Sequence, residues 1–178
     1  MDKQTVGLKR PRLFMLFDYN LEFLKDIVRI IDQHLETINQ RSTEVDDPDS
    51  FGYFDQAEHV LGLGFVACQT YISAICGHLG VRKQDALSVG PQHSSGQTIV
   101  QIINHAANYW KHSDEWLPHK NHKKKKYIEI AFEAMGVSVA ADYPLSNVLT
   151  KITSPRKASF ESLVELLVTW KEELSKEN

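Results

Sequence analysis

The segment from Phe51 to Leu79 constrains the fold most, because its residues are apolar on nearly every side of a helix. Such a helix is usually packed against neighbours on all flanks. Its most apolar part, residues 60–75, falls short of the 18 or more apolar residues expected of a membrane span, since it is interrupted by Gly62, Gly64, Gln69, Thr70 and Ser73. We therefore expect a central helix, with neighbouring helices approaching closely at its glycines and Gly80 as its C-terminal cap.

Other segments show the three- and four-residue spacing of apolar residues that is typical of amphipathic helices. The long ones are Leu13–Arg41, Gln97 to about Ser113, capped by Ser94 or Ser95, and Ser159–Ser175. Shorter helices are predicted at Tyr127–Met135 and Leu145–Ile152. The expected fold is all-α, a helical bundle of about five or six helices around the central apolar helix.

Length and charge limit the classes of protein to consider. A chain of 178 residues fits one helical domain, residues 1–178, with residues 1–12 loose. The net charge of -3 argues against a generally basic nucleic-acid binder but allows a local basic patch.

Cysteine usage and the N-terminus point to one compartment. Cys68 and Cys76 are about 12 Å apart along one helix, which is too far for a disulfide. They are expected to be buried free thiols of a reducing compartment. The N-terminal residues lack the apolar core of a signal peptide, so we expect a cytoplasmic protein with no membrane association.

The third long helix carries a line of polar residues opposite its apolar side. The line consists of Gln101, His105, Asn108 and His112, spaced four, three and four residues apart. A solvated face is the usual explanation of such a line. However, His and Asn are poorer helix formers than the residues that usually cover exposed faces, and they supply both donors and acceptors. The line therefore favours a groove that faces another chain or a ligand.

A basic run follows this helix, between His119 and Tyr127. Its lysines oppose the dipole of the helix that they begin, at a cost of a few tenths of a kcal/mol each. A solvated loop is the usual outcome for a charge run, and contact with phosphates is the functional alternative. On that alternative, the predicted nucleic-acid-binding residues are Lys111, Lys123, Lys124, Lys125 and Lys126.

Metal chemistry is a further hypothesis, carried by five potential ligands within eleven residues: His112, Asp114, Glu115, His119 and His122. Their spacing matches no established zinc pattern, and the chain has no HExxH sequence. Gly-rich phosphate loops, GxSxG elbows and CxxC pairs are also absent from the sequence. No metal or cofactor is expected.

The segment Ala107-Asn108-Tyr109-Trp110-Lys111-His112 resembles the HEPN superfamily, whose motif is an arginine, a polar residue and a histidine four to six residues after the arginine. The family consists of helical-bundle proteins of toxin–antitoxin, phage-defence and RNA-processing systems, and two copies of the motif meet in a dimer groove. Members that keep the motif are typically metal-independent ribonucleases. Asn108 and His112 match in spacing, whereas Ala107 stands where the family has arginine.

The resemblance implies roles for three candidate catalytic residues. His112 would act as general acid or base on an RNA 2′-hydroxyl, Asn108 would orient it or bind phosphate, and His105 would be a second titrating group. The function expected is a HEPN-like, dimeric protein that binds RNA or a nucleotide, with or without cleavage. The alternative is a non-catalytic interaction module whose polar line packs against a cognate partner protein.

Overall fold

A computed structural model of the protein describes residues 18–116, 123–140 and 142–176. This part of the chain is all-α and confirms the predicted bundle. Its helices are α1 (Tyr19–Ser42), α2 (Tyr53–Leu79), α3 (Lys83–Ala86), α4 (Ile99–His112), α5 (Lys123–Glu133), α6 (Pro144–Thr153) and α7 (Phe160–Lys176), with a 3-10 turn at Ser113–Glu115.

Helix α2 is the centre of the bundle, as its composition predicts. It contacts α1, α3, α4, α6 and α7, and its buried side chains join a single core cluster with theirs. Among the described helices, α2 alone is long and apolar enough to cross a membrane by length and composition. The core helix of a soluble bundle meets the same criteria, and 56 % of the apolar window of α2 is buried inside the bundle.

Two glycines of α2 admit aromatic rings from neighbouring helices, which confirms the expected close approach. A Cβ atom at Gly62 would lie 1.9 Å from the Trp110 ring of α4. At Gly64 it would lie 2.3 Å from the Phe160 ring of α7. The absence of side chains at these positions therefore fixes how closely α4 and α7 pack on α2.

Helix α1 begins later than its apolar pattern predicts. Asp18 has non-helical backbone angles and caps α1 by accepting a hydrogen bond from the Leu21 N–H at 3.0 Å. The same carboxylate accepts hydrogen bonds from the Tyr71 hydroxyl at 3.0 Å and the Lys171 ammonium at 2.7 Å. The cap thus joins α1 to α2 and α7, and residues 13–17 lie outside the described residues.

The cap of α4 also differs from the prediction. Thr98, and not Ser94 or Ser95, accepts a hydrogen bond from the Gln101 N–H at 3.2 Å, and the Gln101 side chain accepts one from the Thr98 N–H at 3.0 Å. This reciprocal capping box begins α4 at Ile99. Gln101 is consequently occupied at the start of the helix.

The two cysteines are buried free thiols, as predicted from their spacing. Burial, together with the charge of Asp32, raises the pKa of Cys68 to about 12. A thiol with so high a pKa is not a nucleophile at neutral pH.

Candidate ligand-binding surface on α2 and α4

The polar line of α4 does not form one open face. Asn108 lies against α2, where its side-chain oxygen accepts a hydrogen bond from Gln69 Nε2 at 3.1 Å. Gln101 belongs to the capping box, and His112 contacts Glu115 in the 3-10 turn that follows α4. The residues of the polar line therefore have different contacts, although they follow one another along the same helix.

Gln69 is the centre of a polar network between α2 and α4. Its buried amide nitrogen also donates to the Asn104 side chain at 2.9 Å, and its Oε1 accepts from the Lys111 ammonium at 2.6 Å. In the sequence, Gln69 is only an interruption of an apolar run. The signal that it offered was a lone amide on a helix that is otherwise apolar, since buried amides require partners.

A second lysine reaches the same surface. The Lys83 ammonium, from α3, donates to the Ser73 hydroxyl at 3.1 Å, and Ser73 lies one turn after Gln69. Burial and then the charge of Lys111 lower the pKa of Lys83. Among the described residues, neither lysine has a carboxylate within 4.0 Å. We call Lys83 and Lys111 the lysine pair.

His112 lies at the end of α4 and contacts an acid. Its Nδ1 is 3.1 Å from the Glu115 carboxylate. With the proton on Nδ1, the ring donates to Glu115 and Nε2 is left as an acceptor. This arrangement orients the ring as a general base would be oriented, and the side chain is partly exposed to solvent.

His105 is half-buried on α4 and has no hydrogen-bond partner within the part of the chain that the structure describes. Burial lowers its pKa, which favours the neutral ring in the folded state. Protonation of His105 therefore opposes folding.

We expect the free energy of unfolding to decrease as the pH falls below the ordinary histidine pKa of about 6.5, because the unfolded chain then binds the proton more readily than the folded one. His105→Gln will reduce this loss between pH 7 and pH 5, as measured by urea denaturation at both values. The matched control is His34→Gln on the exposed surface of α1. An equal loss of stability in wild type and His105→Gln would contradict the assignment.

Ala107, at the position of the family arginine, is fully buried. A side chain attached here enters the core, so a phosphate-binding cation at this position would not reach the surface. Lys111 extends instead toward Gln69, on the α2 side of the helix. The candidate catalytic residues consequently have different partners: His112 contacts Glu115 and Asn108 contacts Gln69, whereas His105 has no hydrogen-bond partner among the described residues.

The basic run forms the first turn of α5, where Lys123, Lys124, Lys125 and Lys126 follow one another. The Lys125 ammonium is 3.7 Å from the Glu129 carboxylate and 6.0 Å from the centre of the Trp116 ring. That ring contacts Tyr109 of α4 edge-on at 5.8 Å between ring centres. Lys125 is thus partly neutralised, whereas Lys126 is exposed.

The predicted cluster of metal ligands is only partly covered by the structure. His119 and His122 lie outside the described residues. Within those residues, no three His, Cys, Asp or Glu side chains are placed to hold a metal ion together.

Comparison of the chain with protein-family models, with curated proteins and with solved structures finds no match. The geometry of this surface is therefore the basis on which a function can be inferred.

Proposed function

We propose that this protein binds phosphate groups of RNA or of a nucleotide on the surface formed by α2, α3 and α4, without cleaving them. The observation that carries the proposal is the lysine pair. The two ammonium groups donate to Ser73 and to Gln69, which lie one turn apart on α2, and no carboxylate among the described residues lies within 4.0 Å of either. A bound phosphate would supply the missing negative charge.

The groups around the lysine pair suit the same ligand. Asn104 and Asn108 contribute amides, which are common partners of phosphate and sugar oxygens in nucleic-acid complexes. The Ser73 hydroxyl instead donates to the Gln69 carbonyl of its own helix at 3.0 Å and holds Lys83 in place. Amide contacts of this kind hold the backbone of a nucleic acid and read no base sequence. The proposal is therefore binding with little sequence preference and with strong dependence on salt.

Binding without cleavage is supported by what surrounds His112. A ribonuclease needs, beside its general base, a cation that stabilises the charge of the transition state. The position of the family arginine is the buried Ala107, and the lysine pair lies on the α2 side of α4. In this proposal the chain is a HEPN-like RNA or nucleotide binder of a toxin–antitoxin or phage-defence system, and its His112–Glu115 pair is not part of a complete catalytic site.

The lysine pair can be tested by measuring the affinity for a fluorescent single-stranded RNA at several salt concentrations. We expect Lys83→Gln/Lys111→Gln to weaken binding about tenfold or more and to lower the salt slope by about 1.4, since each phosphate contact on a single strand contributes about 0.7. The control is Lys25→Gln/Lys157→Gln, which removes two lysines from other surfaces. Equal weakening by both double variants would contradict the proposal.

Three further measurements test the separate parts of the proposal: the ligand, the extent of the surface and the absence of cleavage. Competition by ATP or by inorganic phosphate shows whether a nucleotide or the phosphate alone occupies the surface. Replacing Lys123, Lys124, Lys125 and Lys126 by Gln tests whether the basic run extends the same surface, in which case the salt slope falls further. Cleavage of a structured RNA by wild type, with loss of cleavage in His112→Ala, would overturn the non-cleaving proposal.

A further inference from the structure

An apolar groove runs along the outside of the bundle between α1 and α2. Its volume is about 440 Å³. The groove is lined on α1 by Phe23, Ile27 and Ile30 and on α2 by Leu63, Val66 and Thr70, and no residue along it carries a charge. An uncharged centre is the compositional feature that distinguishes protein interfaces from the remaining surface of a protein.

Three side chains of the groove are more exposed than large apolar groups usually are. Phe23 is 60 %, Ile30 63 % and Leu63 51 % exposed, and Tyr19, one turn before Phe23, is 74 % exposed. The aromatic side chains of Tyr19 and Phe23 have roughly 200 Å² of surface each, and together with the smaller Ile30 and Leu63 they leave on the order of 400 Å² open. A patch of this size is at the level of the largest apolar patches of monomers, which are often functional.

The open apolar area is about half of the surface that one partner contributes to a stable dimer interface. A stable interface covers about 800 Å² on each partner, in which an apolar centre is surrounded by a polar rim. Each copy would contribute the centre from this groove and the rim from the polar residues around it. Interfaces between identical chains are more apolar than those between proteins that associate transiently, and this groove is apolar.

The arrangement of the two helices favours a second copy as the partner. Helices α1 and α2 run antiparallel, because Asp18 at the start of α1 contacts Tyr71 in the C-terminal half of α2. Along each helix, the groove residues recur at intervals of three and four residues. This is the spacing of the apolar residues by which helices of a bundle pack. Two such antiparallel pairs, face to face across a two-fold axis, form a four-helix arrangement.

We propose that the α1–α2 groove is the interface of a homodimer, with the groove of one copy covering that of the other. No residue of α4 lines the groove. The proposed dimer therefore leaves the lysine pair on a different surface, and this proposal is independent of RNA or nucleotide binding.

The dimer can be tested by sedimentation velocity on the full chain at about 50 µM, well above a micromolar Kd. The expected mass is twice the 20.3 kDa of one chain. Ile30→Glu/Leu63→Glu places charges in the centre of the interface, and we expect it to raise the Kd at least about a hundredfold. Ile130→Glu is the matched control, since Ile130 on α5 is 53 % exposed and lies outside the groove.

A monomeric wild-type chain at this concentration would overturn the proposal, whatever else covers the groove. The proposal would also be overturned if the dimer of Ile30→Glu/Leu63→Glu had the same Kd as the dimer of the control Ile130→Glu. Circular dichroism verifies that each variant is folded. If the double variant does not fold, Leu63→Glu alone provides the comparison, because an exposed position tolerates a charge in the monomer.

Discussion

Gly64→Ala is expected to lower the free energy of unfolding by about 2–3 kcal/mol, although alanine is the better helix former. The new Cβ would lie 2.3 Å from two atoms of the Phe160 ring. That ring cannot move aside easily, because it is fully buried and packs edge-on against Phe65 at 5.2 Å between ring centres. Its backbone N–H is also held by the Asp32 carboxylate at 2.9 Å. Either α7 must shift away from α2 or the ring must leave its rotamer.

The same helix provides the control for this substitution. Gly77 has no atom within 4 Å of the position of an added Cβ, so Gly77→Ala is expected to gain up to about 1 kcal/mol from helix propensity alone. Urea denaturation of wild type and both variants measures the two effects. If Gly64→Ala were as stable as Gly77→Ala, the close packing of α7 on α2 would be wrong.

The sequence predicts the core of this protein well, because the core depends on local periodicity. The central position of α2 follows from its apolar residues, and the close approach of neighbours follows from glycines that weaken a helix without ending it. The sequence does not, however, identify those neighbours. Nothing near Gly62 or Gly64 in the sequence indicates Trp110 or Phe160, since each contact joins residues that are far apart along the chain.

Helix starts illustrate the same limit. Asp32 on α1 accepts hydrogen bonds from the N–H groups of Phe160 and Glu161 at the start of α7, and Glu58 on α2 accepts those of Leu145 and Ser146 at the start of α6. In the sequence, Asp32 belongs to the charged and solvated side of an amphipathic helix. A carboxylate of one helix that caps another leaves no local pattern, so a search for N-terminal caps near each helix cannot find it.

The candidate site was predicted in part. Helical projection places Asn108 and His112 on the polar side of α4, but it cannot say which of them meets a neighbouring helix. The partner of Asn108, Gln69, lies 39 residues earlier in the chain. The sequence also does not predict the lysine pair, because Lys83 comes from a short helix, and only the folded bundle brings Lys83 and Lys111 to neighbouring turns of α2.

Gln69→Leu is expected to lower the free energy of unfolding by about 1–3 kcal/mol. Leucine fills a similar volume, so the loss comes from hydrogen bonds. The side-chain oxygens of Asn104 and Asn108 lose the donor that they share, at the partly buried contact between α2 and α4. Lys111 contributes less to the loss, because its exposed ammonium can turn to solvent when Gln69 Oε1 is removed.

Two controls identify which hydrogen bonds carry this effect. Thr150→Val changes an exposed residue of α6 that lies outside the network and the groove, and whose hydroxyl bonds to the Ser146 carbonyl of its own helix. The expected change is within about 0.5 kcal/mol. Gln69→Glu keeps an acceptor for Lys111 but provides no donor for the two asparagines. If the asparagine bonds dominate, Gln69→Glu will lose stability at pH 7 and regain part of it at low pH, where the introduced carboxyl group is protonated and donates again. If Gln69→Leu were as stable as Thr150→Val, the network would not be what holds α4 on α2.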